Sequence, residues 1–317
     1  MRTSLRSAAF AAALLVVGAR VALAGSPVHA VTSIPPLAMI VSDIGGDRVL
    51  VHSILPPGAD PHTFEPKPSD AAAVAEADVV VMLGSALDDW LGRVIDSSTR
   101  AIVVRLDAGP PDQAAHGDEH GEDGHDPHVW LDPAWVRDHA VAPIHRALAT
   151  ADTEGAPRYG VGARAEAERL TDLEMEIAKK LERAQTRSFL AWHPAWQHFA
   201  HRFGLQPIGG VGESEGREPS LKAMAGAVRA GRAAGVRAVL VEPQVDTREA
   251  SVLADEIGVP LVTVDPLGDA WSLDRATYQT LMLYNATAFA KALAVVHEEK
   301  EDRRESISAL PPSPASP

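Results

Sequence analysis

The sequence predicts an α/β protein of two lobes, each with a parallel sheet flanked by helices, joined by one long helix. Three observations predict this class. Apolar runs alternate with helical patterns in two separate series along the 317 residues. The runs are continuously apolar, which is typical of strands that helices cover on both faces. One long amphipathic segment lies between the two series.

The first series begins near residue 29 and defines an N-terminal lobe, which we place at residues 25–155. Strand-like and helical runs follow one another as VTSI, PLAMIVSDIGG, VLVHSIL, PSDAAAVAEA, DVVVMLG and AIVVRL. Parallel strands need a crossover connection, which is usually a helix, so this alternation predicts parallel βα units.

The segment between the two series, residues 156–186, predicts one long helix. Its apolar residues recur at positions i, i+3, i+7 and i+11, which puts them on a single stripe: Leu170, Leu173, Ile177 and Leu181. The opposite face is rich in Glu, Lys and Arg. We therefore expect a surface strut that joins the lobes and limits their relative motion.

The second series begins near Phe189 and defines a C-terminal lobe at residues 187–298. Its runs are SFLAWH, a helix around residues 195–203, LKAMAGAVRAGRAAG, VRAVLVEP, REASVLADEIG, VPLVTVDP and a closing helix near residues 274–296. Asp246 or Thr247 can cap the helix that follows them, and Gly258 can end it.

The two ends of the chain are expected to lie outside the folded lobes. Residues 1–24 have Arg2 and Arg6 before a short apolar run, then Ala22-Leu23-Ala24, which together predict a cleaved signal peptide and export to the periplasm. The tail at 299–317 is charged and then Pro/Ser-rich, which predicts disorder. Because the chain has no cysteine, neither a thiolate metal site nor the acylated cysteine of a lipoprotein is expected.

The charge balance favours a cation as ligand. The formal net charge of −14 becomes −17 without residues 1–24, because that segment carries three arginines and no acidic residue. Nucleic acids and anionic membrane surfaces reward clustered Lys and Arg, so neither is expected as a partner. No second run is long enough to span a membrane, so the mature chain is not expected to be membrane-embedded.

Four donor residues lie where predicted strands end, in both lobes. His62 follows VHSILPPGADP, His128 lies in the loop after AIVVRLD, His193 follows FLAW, and Asp265 follows LVTV. Ligands of open parallel sheets collect beyond the carboxyl ends of the strands, so two facing lobes define a cleft there. Three imidazoles and one carboxylate suit tetrahedral Zn²⁺, whereas Mn²⁺ prefers more carboxylate.

Each of these residues also has a plain structural interpretation when it is taken alone. A loop histidine can simply bond to backbone, and Asp265 can cap a turn. No single alternative of this kind accounts for all four positions. Because an imidazole must be neutral to bind a metal, we expect zinc affinity to fall below about pH 6.5.

Other polar residues are candidates for accessory roles. Glu65 and Glu242 can each orient a ligand histidine from behind, or pair with a nearby arginine. The biased loop at 112–127 has histidines among acidic residues, a composition suited to loose, multidentate metal binding or to an inert solvated loop. Its histidines are His116, His120 and His125.

Ordered motifs along nearly the whole mature chain resemble the ZnuA/TroA-type (cluster A-I) solute-binding proteins of metal-specific ABC transporters. The motifs are GADPHTFEP, DPHVWLDP, FLAWHPAWQHFAHRFGL, VLVEPQ and VDPLG. The resemblance implies a metal site in the cleft between the lobes, with His62, His128, His193 and Asp265 as ligands. Manganese members of the family typically have Glu at the third position, where this chain has a histidine.

The function that follows from this resemblance is capture of Zn²⁺ as cargo and its delivery to an ABC permease driven by a separate ATPase. We expect a monomer that is not an enzyme. Three alternatives stay open: manganese as the metal, a periplasmic zinc store or chaperone without a transporter, and a zinc hydrolase. The sequence contains no HExxH helix to support the hydrolase.

Overall fold

The computed structural model of the chain describes residues 26–95, 99–106, 126–211, 219–245 and 247–294. Outside these ranges lie the predicted signal peptide, the predicted tail, the candidate helix cap Asp246, and His116, His120 and His125 of the acidic loop. What the sequence predicts for them stays a prediction.

The first lobe is built on a four-stranded parallel sheet. Its strands are β1 (Val28–Thr32), β2 (Val49–Ser53), β3 (Val79–Met82) and β4 (Ile102–Arg105). They lie in the order β2-β1-β3-β4, and every neighbouring pair is parallel. Helices follow the first three strands in turn, as the alternating sequence pattern predicts: α1 (Pro35–Gly45), α2 (Pro68–Glu76) and α3 (Asp89–Val94).

A helical segment closes this lobe after a short 3₁₀ turn at Val129–Leu131. It consists of α4 (Pro133–Trp135), a π-helical turn (Val136–Ala140) and α5 (Val141–Ala151). The carboxylate of Asp132 accepts a hydrogen bond from the backbone N–H of Ala134 at 2.9 Å, with a proline in the first turn. Such a cap satisfies a backbone donor at the start of the helix.

The predicted long helix is α6 (Ala156–Leu181). Its apolar stripe is buried, as the spacing predicts, at Leu170, Leu173, Ile177 and Leu181. Glu166 is buried on the same helix, where its carboxylate pairs with Arg169 and accepts hydrogen bonds from the amide of Gln279. Helix α6 packs against α1 and α5 of the first lobe and against the last helix of the chain.

The second lobe repeats the arrangement of the first. Its strands are β5 (Ser188–Ala191), β6 (Gln206–Gly210), β7 (Val239–Val241) and β8 (Leu261–Thr263), in the parallel order β6-β5-β7-β8. Its helices are α7 (Gln197–Phe203), α8 (Leu221–Ala234), α9 (Thr247–Ile257) and α10 (Tyr278–Leu293). Gly258 follows α9 with φ of 88°, a conformation that glycine adopts without strain, so it ends the helix as predicted.

Alternate residues of β5 pack into different apolar clusters. Phe189 and Ala191 belong to the main core, whereas Leu190, and Trp192 directly after the strand, belong to a smaller cluster in the second lobe. Both faces of this strand are therefore covered, which explains why its sequence is continuously apolar.

The predicted fold class is thus confirmed, with two parallel four-stranded sheets flanked by helices and one long helix in the chain between them. The boundaries that we placed between the lobes stay predictions. Within the described ranges, the longest apolar stretches of helix are too short or too polar to cross a bilayer.

Candidate metal centre

Three of the four predicted ligand residues come together between the two sheets. Nε2 of His193 lies 3.3 Å from Nε2 of His62 and 3.3 Å from Nε2 of His128. The ligand nitrogens of all three lie within 4.8 Å of one another. His62 follows β2 in the first sheet and His193 follows β5 in the second, so the cluster lies where the carboxyl ends of the two sheets meet.

The spacing of these nitrogens fits a tetrahedral metal ion. In a tetrahedron with zinc–nitrogen bonds of about 2.0 to 2.1 Å, two ligand atoms lie about 3.3 to 3.4 Å apart. The Nε2–Nε2 distances from His193 to His62 and from His193 to His128 are both 3.3 Å. The three imidazoles can therefore bind one ion with only small movements.

The same tripeptide, Asp-Pro-His, positions two of the three histidines. The carboxylate of Asp60 accepts a hydrogen bond from the backbone N–H of His62 at 2.9 Å. The carboxylate of Asp126 accepts the equivalent bond from His128 at 3.0 Å. A short acidic side chain that bonds the backbone two residues ahead makes a tight turn, and each turn directs its histidine into the centre.

Asp126 also fixes the imidazole ring of His128. Its Oδ1 lies 2.6 Å from Nδ1 of His128, so that Nδ1–H donates to the carboxylate and Nε2 keeps its lone pair for a metal. His198 on α7 contacts the backbone carbonyl of Asp126 through Nε2 at 2.9 Å. A residue of the second lobe thus holds the turn that carries His128 of the first lobe.

Burial keeps two of the histidines neutral. Burial, with a smaller contribution from the nearby His128, lowers the pKa of His62 to about 4. Burial also lowers the pKa of His193 to about 2, with contributions from His128 and His62 in the same direction. These two imidazoles are therefore ready to bind a cation at neutral pH without first losing a proton.

Asp265 lies outside the histidine cluster. Its residue is 1% exposed, and its Oδ1 accepts the backbone N–H groups of Leu267 and Gly268 at 3.0 and 2.9 Å. Its Oδ2 accepts a hydrogen bond from Nη1 of Arg275 at 2.8 Å. It follows β8, which is separated from the strand of His193 by β7 alone. Its role as the fourth ligand stays a prediction.

Glu242 follows β7, the strand between those of His193 and Asp265. Its Oε1 accepts a hydrogen bond from Nε1 of Trp196 at 3.2 Å. Burial raises the pKa of Glu242 to about 8, with a further contribution from the negative charges of Asp265 and Asp60. The group is therefore mostly a neutral carboxylic acid at pH 7. Its described hydrogen bond joins it to Trp196 rather than to a histidine of the cluster.

Glu65 is exposed, and no described hydrogen bond or ion pair joins it to a ligand histidine. Sequence reasoning placed Asp126 only among the acidic residues of the loop at 112–127, and it did not assign a role to Arg275. The repeated Asp-Pro-His was a usable signal for Asp126, because both copies precede a predicted ligand. Arg275 carried no such signal, since its contact with Asp265 depends on how the loop after β8 folds.

Comparisons with known proteins identify the family of the chain. Residues 30–292 match the sequence model of a family described as ZnuA, zinc-uptake complex component A, periplasmic. The manganese-binding lipoprotein MntA of Halalkalibacterium halodurans is 29% identical over 279 residues, which cover 85% of this chain and 90% of that protein.

The zinc-binding protein AdcA of Streptococcus pyogenes is 29% identical over 269 residues, or 78% of this chain. The match spans 52% of AdcA, so this chain corresponds to about half of that protein. A crystal structure of ZnuA superposes with a TM-score of 0.73 at 28% identity, covering 85% of this chain and all of that one.

Proposed function

Because the chain belongs to the ZnuA family of periplasmic zinc-uptake components, we propose that it captures Zn²⁺ and delivers it for uptake. The ligands in this proposal are His62, His128, His193 and Asp265. The observation that carries it is the convergence of three imidazoles, with Nε2 of His193 lying 3.3 Å from Nε2 of both His62 and His128, the separation expected of ligands in a tetrahedral zinc site.

Zinc is favoured over manganese by the donor set. Neutral imidazole nitrogens suit Zn²⁺, whereas Mn²⁺ prefers sites richer in carboxylate and water oxygens. The relatives do not decide between the two metals, because one is named for manganese and another for zinc. The histidine at position 193 is the residue on which this preference rests.

We propose an ABC permease and its ATPase as the partners, and the periplasm as the location after cleavage of residues 1–24. The family description supports both parts of this proposal. A zinc store or chaperone would use the same centre without a transporter. A zinc hydrolase would need an open coordination position for water, which four protein ligands do not leave.

The direct test of metal capture is a competitive titration of the protein with Zn²⁺ and Mn²⁺ against a chromophoric chelator. We expect one tight zinc site that excludes manganese in the wild-type protein. His193→Ala removes a ligand and should weaken zinc binding by at least about 100-fold. His201→Ala is the matched control, because His201 is exposed on α7 and lies outside the cluster.

Two outcomes would overturn the proposal: weak zinc binding by the wild-type protein, or equal binding by the wild type and His193→Ala. Zinc bound beyond the first ion is expected from His116, His120 and His125, and deletion of residues 114–125 should remove it. Delivery is tested by zinc-dependent growth of cells that lack this gene, because a store or chaperone would leave uptake unchanged.

A further inference from the structure

Asp265, the proposed fourth ligand, forms an ion pair with Arg275. Nη1 of Arg275 donates to Oδ2 of Asp265 at 2.8 Å, and the side chain of Asp265 is only 2% exposed. The backbone of Asp265 is fixed by Asn285, whose side-chain amide both accepts and donates a bond, at 2.8 and 2.7 Å. The aspartate is therefore rigid, and the arginine is its counter-ion.

The two oxygens of Asp265 have different partners. Oδ1 accepts two backbone N–H groups and a longer contact from the amide of Gln244 at 3.4 Å. Within the described part of the chain, the hydrogen bond recorded for Oδ2 is the one from Arg275. Backbone donors cannot move away, whereas a side chain can. Oδ2 is therefore the oxygen that Asp265 can offer to a metal.

Arg275 has other partners that would hold it after it leaves Asp265. Its guanidinium lies 5.1 Å from the centre of the Tyr284 ring, and Nη2 donates to Oγ of Ser272 at 3.2 Å. Its Nε lies 3.5 Å from Oδ1 of Asp274, a side chain that is 61% exposed. A guanidinium that moves toward Asp274 thus keeps a negative partner and gains contact with water.

We propose that Arg275 and the metal ion compete for Oδ2 of Asp265, so that Arg275 sets how tightly the centre holds zinc. This inference rests on the proposed function, and it makes Arg275 a positioning residue that acts through Asp265. Two cations beside one carboxylate oxygen repel each other, so zinc binding to Oδ2 favours displacement of the guanidinium. Conversely, return of the arginine to Asp265 weakens the hold on the ion and favours release.

The test compares the wild-type protein with Arg275→Gln, Asp265→Asn and the double variant, by zinc titration against a chelator. Arg275→Gln should bind zinc at least about tenfold tighter, because the aspartate is left without a competing cation. The gain should vanish in the Asp265→Asn background, since the competition acts through that carboxylate. Arg158→Gln is the control, because Arg158 pairs with Asp47 in an exposed ion pair.

Thermal unfolding of the same variants separates this role from a purely structural one. With a chelator present, Arg275→Gln should unfold at a lower temperature than the wild type, because the buried carboxylate is unpaired. With zinc present, its rise in unfolding temperature should exceed that of the wild type. A structural role alone would lower stability without tightening zinc binding.

Asp274→Asn provides a second variant in case Arg275→Gln does not fold. It removes the exposed partner toward which Arg275 moves, so zinc should bind about two- to threefold more weakly. The inference is overturned if Arg275→Gln binds zinc no more tightly than the wild type, or if Asp274→Asn does not weaken binding. Lack of a tight site in the wild-type protein would instead overturn the proposed function.

Discussion

Buried imidazoles change the pH response that the sequence alone predicts. An ordinary histidine pKa of about 6.5 predicts loss of zinc below that pH. Burial lowers the pKa of His62 to about 4 and that of His193 to about 2, so these two ligands compete with protons only in stronger acid. Below about pH 6.5 the folding stability decreases instead, because His62 and His193 become protonated in the unfolded chain but stay neutral in the folded protein.

We predict that the zinc-free protein loses stability as the pH falls from about 6.5 to about 4. The folded pKa of His62 lies below its unfolded value, so the folded state binds fewer protons in this window and is disfavoured by acid. His62→Gln should reduce the slope of unfolding free energy against pH. Denaturant unfolding with a chelator from pH 8 to 4 measures it, and equal slopes for both proteins would contradict the prediction.

The ligand histidines and their turns were predictable from residues, but their partners were only partly so. Asp-Pro-His occurs twice, once after β2 and once directly before the 3₁₀ turn at Val129–Leu131, and each copy is a local signal of three consecutive residues. Arg275 reaches Asp265 from ten residues away, across a loop whose course no local pattern specifies. Pairings of this kind depend on the folded loop rather than on spacing along the chain.

At the scale of elements, the strands and the long helix follow from apolar periodicity, whereas one close helix contact does not. Helix α6 passes so near to α1 that a Cβ added at Gly162 would collide with the backbone carbonyl oxygen of Ile44. A side-chain pattern predicts which face of a helix is buried, but it does not predict how closely two backbones approach. The π-helical turn at Val136–Ala140 is likewise without a sequence signal that we recognised.

We predict opposite effects for two alanine substitutions in α6. Gly162→Ala should lower the free energy of unfolding by about 1 to 3 kcal/mol, because α1 and α6 must separate to admit the methyl group. Gly160→Ala should raise it by about 0.5 to 1 kcal/mol, since its nearest contacts are ordinary ones at 3.6 and 3.8 Å and alanine favours a helix. Urea unfolding measures both, and destabilisation by Gly160→Ala would be contrary to the prediction.

At the scale of the whole molecule, side chains far apart in sequence join the two lobes beside the centre. Nε1 of Trp130, two residues after a ligand histidine, donates to the backbone carbonyl of Pro266 at 2.7 Å. The hydroxyl of Tyr278 donates to the carbonyl of Trp130 at 2.6 Å. Arg202 on α7 makes a two-pronged bond to Asp132, at 2.8 and 2.9 Å. The fold class was predictable from the sequence, whereas these links between lobes were not.

Tyr278→Phe tests one of these links. The substitution removes the donor and leaves a buried carbonyl oxygen without this bond, which should lower the free energy of unfolding by about 1 to 3 kcal/mol. Zinc should also bind more weakly, because the bond holds the turn that follows His128. Tyr284→Phe is the matched control, since Tyr284 is half-buried and makes its recorded contact with Arg275 through the ring. Equal stability of the two variants would contradict the prediction.

The division of the centre between two sheets makes it a pair of half-sites on one molecule. His62 and His128 form one half, and His193 with the proposed ligand Asp265 forms the other. Neither half alone is a complete tetrahedral set, so the affinity depends on the effective concentration at which the scaffold presents one half to the other. Changes in α6 or in the contacts between lobes can therefore alter metal affinity without changing any residue of the proposed ligand set.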